Sequence, residues 1–171
     1  MSRPWKTILE EELIAPGRLV VLGVGNLKKG DDAAGHLCLA LIRSNFHGVR
    51  PDVLLLQGGS TPENETGRIR DFKPSRVVII DAALGGHPPG TIFIFDPQDI
   101  SQDDVSTHHL PLSLLVKYFE ASLECQVLCL GIEPERIEAG ADVTPGVKQA
   151  VAVLAETIVE MLVRRPMTSL T

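Results

Sequence analysis

The chain lacks most features that mark membrane, secreted or nucleic-acid-binding proteins. No apolar run in its 171 residues approaches the roughly 20 needed to span a bilayer, so no membrane insertion is expected. The opening stretch, MSRPWKTILEEELIAPGR, has one early Arg and one Lys, then three consecutive acids, and no apolar centre. It does not read as a signal peptide, and the expected compartment is the cytoplasm. Positive charge is scarce: the formal net charge is -6, and the only basic clusters are Lys28-Lys29 and Arg164-Arg165. A nucleic-acid footprint needs clustered Lys and Arg, so no nucleic-acid partner is expected.

Cysteine is equally sparse. The three, Cys38, Cys125 and Cys129, are odd in number and form no C-x-x-C, which argues against a disulfide framework and a zinc knuckle. Cys38 sits in HLCLALI, and Cys125 and Cys129 alternate with Val127. They read as small buried residues rather than as nucleophiles.

Familiar catalytic signatures are missing too. There is no H-E-x-x-H, no G-x-S-x-G and no Ser/His/Asp set that can be ordered. Gly23-Val24-Gly25 begins like a dinucleotide loop, but the third Gly would fall at Lys28. Gln57-Gly58-Gly59 stands where the acid after the second strand belongs, and no P-loop occurs, so no nucleotide cofactor is expected. The glycines are better explained by a tight turn and close backbone approach.

What is present is an alternation of strands and helices. Arg18–Gly23, Val53–Gln57, Arg76–Ile80, Thr91–Phe95 and Gln126–Leu130 read as strands. Helices are expected from Asp31-Asp32 to about Asn45, from Ser60 to about Phe72, over Pro111–Ala121, and from Thr144 to about Arg164. Ser60 and Glu63 have capping-box spacing, and Pro62 suits a first turn. Trp5, Ile8, Leu9 and Leu13 give the N-terminal arm a short helical stripe. The whole, residues 1–171, reads as one domain: an arm over 1–16 and an α/β core over 18–165. β-α-β units imply a mostly parallel sheet covered on both faces, with ligands at the carboxyl ends of its strands.

Three sets of residues fall at those ends. Asp31-Asp32 opens the first core helix; one Asp suffices to cap it, leaving the other spare. Asp81 follows Val-Val-Ile-Ile, either as a turn former or as a buried acid that needs a partner. His108 and His109 precede a helix, as an idle surface pair or as donors. Two carboxylates and one imidazole on separate loops resemble a three-ligand site for a divalent first-row metal.

The motifs together resemble the hydrogenase maturation endopeptidases. The resemblance runs through Val21-Leu22-Gly23-Val24-Gly25-Asn26, Gly30-Asp31-Asp32-Ala33-Ala34-Gly35 and Gly58-Gly59-Ser60-Thr61-Pro62-Glu63-Asn64. It continues in Val78-Ile79-Ile80-Asp81-Ala82, Thr107-His108-His109-Leu110-Pro111-Leu112 and Leu130-Gly131-Ile132-Glu133-Pro134. The Asp-Asp form and the Gly-Gly-Ser-x-Pro-Glu-Asn stretch are most similar to the branch serving formate-hydrogenlyase-type hydrogenases.

The resemblance implies a three-layer α/β sandwich with a twisted, mostly parallel five-stranded sheet. It also implies a catalytic and metal-binding triad of Asp32, Asp81 and His108, with His109 as a neighbour. The implied partner is a nickel-iron hydrogenase large-subunit precursor. Nickel, supplied by that substrate, is the implied metal, and removal of a C-terminal extension is the implied reaction. The N-terminal arm is extra to the family pattern. Two other expectations compete: a hydrolase that keeps its own zinc on the same triad, and a non-enzymatic nickel or large-subunit chaperone.

Overall fold

Strand β1, Leu19–Val24, is buried at every position. A strand can be apolar throughout only if both of its faces are covered, and here they are. Leu19 and Val21 join one apolar cluster, while Val20, Leu22 and Val24 join another on the opposite face. Strand β3, Arg76–Ala82, divides the same way: Val78 and Ile80 go to the first cluster, Val77 and Ile79 to the second.

The computed structural model describes residues 3–99 and 111–167. Among the described residues, five strands form one sheet in the order β2-β1-β3-β5-β4, with β2 at Val53–Gly59, β4 at Ile92–Phe95 and β5 at Gln126–Ile132. β1 pairs in parallel with β2 and β3, and β3 in parallel with β5. β4 alone runs antiparallel, along the outer edge of β5.

The first cluster is closed by α1 (Trp5–Ile14), α2 (Ala34–Asn45) and α5 (Pro145–Arg164). The second is closed by α3 (Thr66–Phe72) and α4 (Leu112–Leu123). The result is the expected three-layer α/β sandwich. The N-terminal arm is the expected helix: Leu9 and Leu13 are fully buried against the α5 side, and Trp5 packs partly on the same cluster. Burying two leucines contributes about 3–6 kcal/mol before chain entropy is counted. No described helix is long and apolar enough to cross a membrane.

Several boundaries differ from the sequence-based expectation. β3 and β5 run two residues further than expected, so Asp81 lies inside β3, opposite Gly131, rather than after it. The helix expected from Asp31-Asp32 begins as a 3-10 turn, Gly30–Ala33, and α2 starts only at Ala34. The capping box expected at Ser60 does not form. A 3-10 turn over Pro62–Glu65 comes first, its cap residue is Thr61 without a capping side chain, and α3 follows at Thr66. The Thr66 hydroxyl instead donates to the Glu63 carbonyl at 2.8 Å.

At the amino ends of the strands, sequence patterning missed a buried charge cluster. Asp52 is fully buried just before β2. Arg50 meets it with two parallel bonds of 2.9 and 2.8 Å, and Arg165 adds a third at 3.2 Å. Arg165 also donates to the carbonyls of Leu13 and Gly17, so this cluster joins α1, β2 and the end of α5. Such a cluster is tolerated because each charge is paired and hydrogen-bonded.

Candidate active site

Asp32 is held by the turn that precedes it. The Asn26 amide lies 3.1 Å from Asp32 Oδ2 and 3.2 Å from the Asp32 carbonyl. The Asn26 side chain accepts from the Lys28 amide at 2.9 Å, closing an Asx-type turn. Gly25 permits this approach: its φ is +148°, and a Cβ there would lie 2.1 Å from the Asp32 carbonyl. Close backbone approach accounts for this glycine.

The 3-10 turn is then pressed onto the sheet. A Cβ on Gly35 would meet the Val24 carbonyl at 2.2 Å, and the 3-10 turn packs against β3. Asp32 therefore stands at the carboxyl end of β1, beside the end of β3 that carries Asp81. Both carboxylates are buried, at 2% and 5% exposure. Burying two acids this close to an apolar core is costly unless partners of opposite charge or hydrogen-bond donors serve them. Strand alternation turns Asp81 toward the α3/α4 layer, the side of Val77 and Ile79.

The third member of the implied triad, His108, and its neighbour His109 lie outside the described residues. Among the described residues no group of three His, Cys, Asp or Glu is placed to hold a metal ion. Carboxylate oxygens such as those of Asp32 and Asp81 are hard donors of the kind that divalent cations take.

Asp31 corrects the capping expectation. The cap residue of α2 is Ala33, without a side-chain bond, and both acids lie in the 3-10 turn upstream of it. Asp31 is fully buried and reaches across the chain. Its Oδ2 accepts from the amides of Glu135 and Arg136 at 2.8 and 2.9 Å, and its Oδ1 from that of Thr144 at 2.7 Å. The Thr144 hydroxyl lies 3.0 and 2.9 Å from the same two oxygens. Burial pushes the Asp31 carboxyl up, but the amides of Thr144, Arg136 and Glu135 and the Thr144 hydroxyl outweigh it, so it sits below its ordinary value. Thr144 does precede α5 as expected, but its hydroxyl serves Asp31 rather than the helix.

Glu133 is a site-edge residue that spacing alone did not single out. It is buried at the end of β5 and accepts from the Gly85 amide at 2.8 Å, in the loop after Asp81. Its one sequence signal was membership of the Gly131-Ile132-Glu133-Pro134 stretch.

The three thiols are buried. Burial pushes the Cys38 thiol up to about 12 and raises Cys125 and Cys129 as well, so none is poised as a thiolate nucleophile. His36 is half-buried with no hydrogen-bond partner on Nδ1, and burial lowers its pKa. His87 leans on Phe93, with ring centroids 4.5 Å apart.

Comparison with known proteins fits this architecture. Residues 41–161 match the profile of the hydrogenase maturation protease family. The chain belongs to that family. It is 36% identical over 148 residues to the hydrogenase 3 maturation protease of Escherichia coli, covering 84% of this chain and 87% of that protein. It is 31% identical over 163 residues to a putative hydrogenase maturation protease of Methanocaldococcus jannaschii, covering 92% and 95%. The crystal structure of a NiFe hydrogenase maturation protease from Thermococcus kodakarensis superposes with a TM-score of 0.81 at 34% identity, over 91% of this chain and 98% of that one. The protein is thus a peptidase of the hydrogenase maturation family, and a non-enzymatic chaperone is set aside.

Proposed function

We propose that this protease acts in the cytoplasm on the large-subunit precursor of a nickel-iron hydrogenase. It removes a C-terminal extension after nickel has been inserted, and it reads that nickel through Asp32, Asp81 and His108. The observation that carries this reading is the pair of buried carboxylates gathered at the carboxyl ends of β1 and β3 in a member of this protease family.

The chemistry follows from the donor set. Two carboxylate oxygens and an imidazole suit a divalent first-row cation with open positions. Nickel held in the precursor offers one coordination position to the protease, so an unloaded precursor binds poorly. The reaction itself is hydrolysis. The oxygen of water adds to the scissile carbonyl carbon, the C–N bond breaks, and the departing amine takes up a proton. A metal beside that carbonyl favours the step by drawing charge from its oxygen or by lowering the pKa of a bound water.

The test is a cleavage assay on a purified large-subunit precursor, with and without inserted nickel, read by mass spectrometry. The expected result is loss of C-terminal mass only from the nickel-loaded form, abolished by Asp32→Ala. Cleavage of both forms by enzyme that purifies with stoichiometric zinc would instead support a hydrolase with its own metal. Full activity of Asp32→Ala would remove that residue from the site.

A further inference from the structure

The two carboxylates belong to different segments, and one stretch of chain braces both. That stretch is residues 133–144, between β5 and α5. At one end Glu133 holds the loop that follows Asp81. Its carboxylate accepts from the Gly85 amide, its carbonyl accepts from the Gly90 amide at 2.8 Å, and its amide donates to the Thr91 carbonyl at 2.9 Å. Further along, the same stretch is bound to the turn that carries Asp32. The Asp31 amide donates to the Arg136 carbonyl at 3.0 Å, and the Gly140 amide donates to the Lys28 carbonyl at 2.8 Å.

Asp31 is the side chain that completes this brace. Three amides and one hydroxyl, all from residues 135, 136 and 144, converge on its carboxylate. A helix start needs no such arrangement, since Asp31 caps no helix. A carboxylate is suited to the task because it accepts through two oxygens at once and strengthens each bond with its charge. An amide in its place would turn an N–H toward an N–H.

We infer that Asp31 is a positioning residue. By tying the Asp32 turn to the 133–144 stretch, which Glu133 ties to the loop after Asp81, it sets the separation of Asp32 and Asp81. The inference rests on the proposed reading that these two carboxylates act together on nickel. The adjacent acids then divide their work: Asp31 faces inward to the brace, and Asp32 meets the substrate. Residues that orient a metal-binding side chain in this way are commonly worth about 10- to 100-fold in metal affinity or rate.

The test compares Asp31→Asn, Thr144→Val and Thr144→Ser with the wild type at a temperature where each is fully folded by circular dichroism. Two quantities are read: kcat for the nickel-loaded precursor, and the ratio of binding affinities for loaded and nickel-free precursor. Asp31→Asn is expected to lower both by about 10- to 100-fold while binding of nickel-free precursor is unchanged. Thr144→Val, which removes only the hydroxyl donor, should shift both in the same direction, and Thr144→Ser should restore them. Should Asp31→Asn not fold, the Val/Ser comparison at Thr144 decides the matter alone. Folded variants with wild-type kcat and nickel preference would overturn the inference, whatever their melting temperatures. Asp32→Ala separates the two levels. If it abolishes cleavage while the folded Asp31 and Thr144 variants do not lower it, positioning fails and the site reading stands. If it is fully active, both fail.

Discussion

A Cβ on Gly35 would lie 2.0 Å from the carbonyl oxygen of Ile80. Both the turn carrying Asp32 and the end of β3 depend on that gap. Neither obstacle is a side chain that can rotate away, because the Val24 carbonyl stands on the other flank. Gly35→Ala should therefore cost about 3 kcal/mol or more, read as a lower urea midpoint. Gly67, in α3, faces open space, and Gly67→Ala should raise the midpoint, by about 0.5–1 kcal/mol. Equal effects at the two glycines would contradict the packing described.

The thiols should be silent. Native protein is expected to resist an alkylating reagent at Cys38, Cys125 and Cys129 until it is denatured, because all three are buried with raised pKa values. Cys125→Ser and Cys129→Ser should retain cleavage. A folded but inactive variant would bring a thiol mechanism back.

Acid should weaken the fold through Asp52. Hydrogen bonding from Arg50 holds this carboxyl at about 2, against an ordinary value of 3.8, despite the opposing effect of burial. A depressed pKa stabilises the fold fully above the unfolded value, and the benefit disappears as pH falls from about 4 toward 2. The loss is about 2 kcal/mol, visible as a falling urea midpoint across that window. Asp52→Asn should lower stability at neutral pH by about 3–5 kcal/mol, since it strands two buried arginines, and should flatten the acid-dependent part.

At the His pair, His108→Ala should lower cleavage by about 100-fold and His109→Ala far less. The opposite order would move the third donor to His109. Folding of both variants, checked by circular dichroism, makes the comparison valid.

Removing residues 1–14 should strip Leu9 and Leu13 from the core, the Glu12 partner from Arg76, and the Leu13 carbonyl from Arg165. A stability loss of about 3–6 kcal/mol is expected from the two leucines alone. An unchanged urea midpoint would mean that the helix is not part of the folding unit.

Much of this architecture was legible because it rests on local pattern. The apolar run Val77–Ile80 marks a doubly covered strand, and the 3.6-residue stripe of α5 marks its buried face. Asp81 at the end of such a strand is visible for the same reason. The rest depends on contacts between distant residues, which periodicity does not encode. Asp31 and Thr144 each look like a helix cap, and both are diverted by a bond to each other across 113 positions. Arg50, Asp52 and Arg165 look like surface charges near chain turns, and they are a buried cluster. Ser60 and Glu63 have capping spacing, yet a 3-10 turn intervenes before α3.

The Arg165–Asp52 contact sits at the amino end of β2, whereas Asp32 and Asp81 stand at the carboxyl ends of the neighbouring strands. A strand of seven residues separates these poles by about 20 Å. Arg165 therefore stands at the pole opposite the carboxylates. Protein immobilised on a sensor chip by that pole would turn the end that carries Asp32 and Asp81 toward solution, and the anchoring matrix would stay clear of a docking precursor.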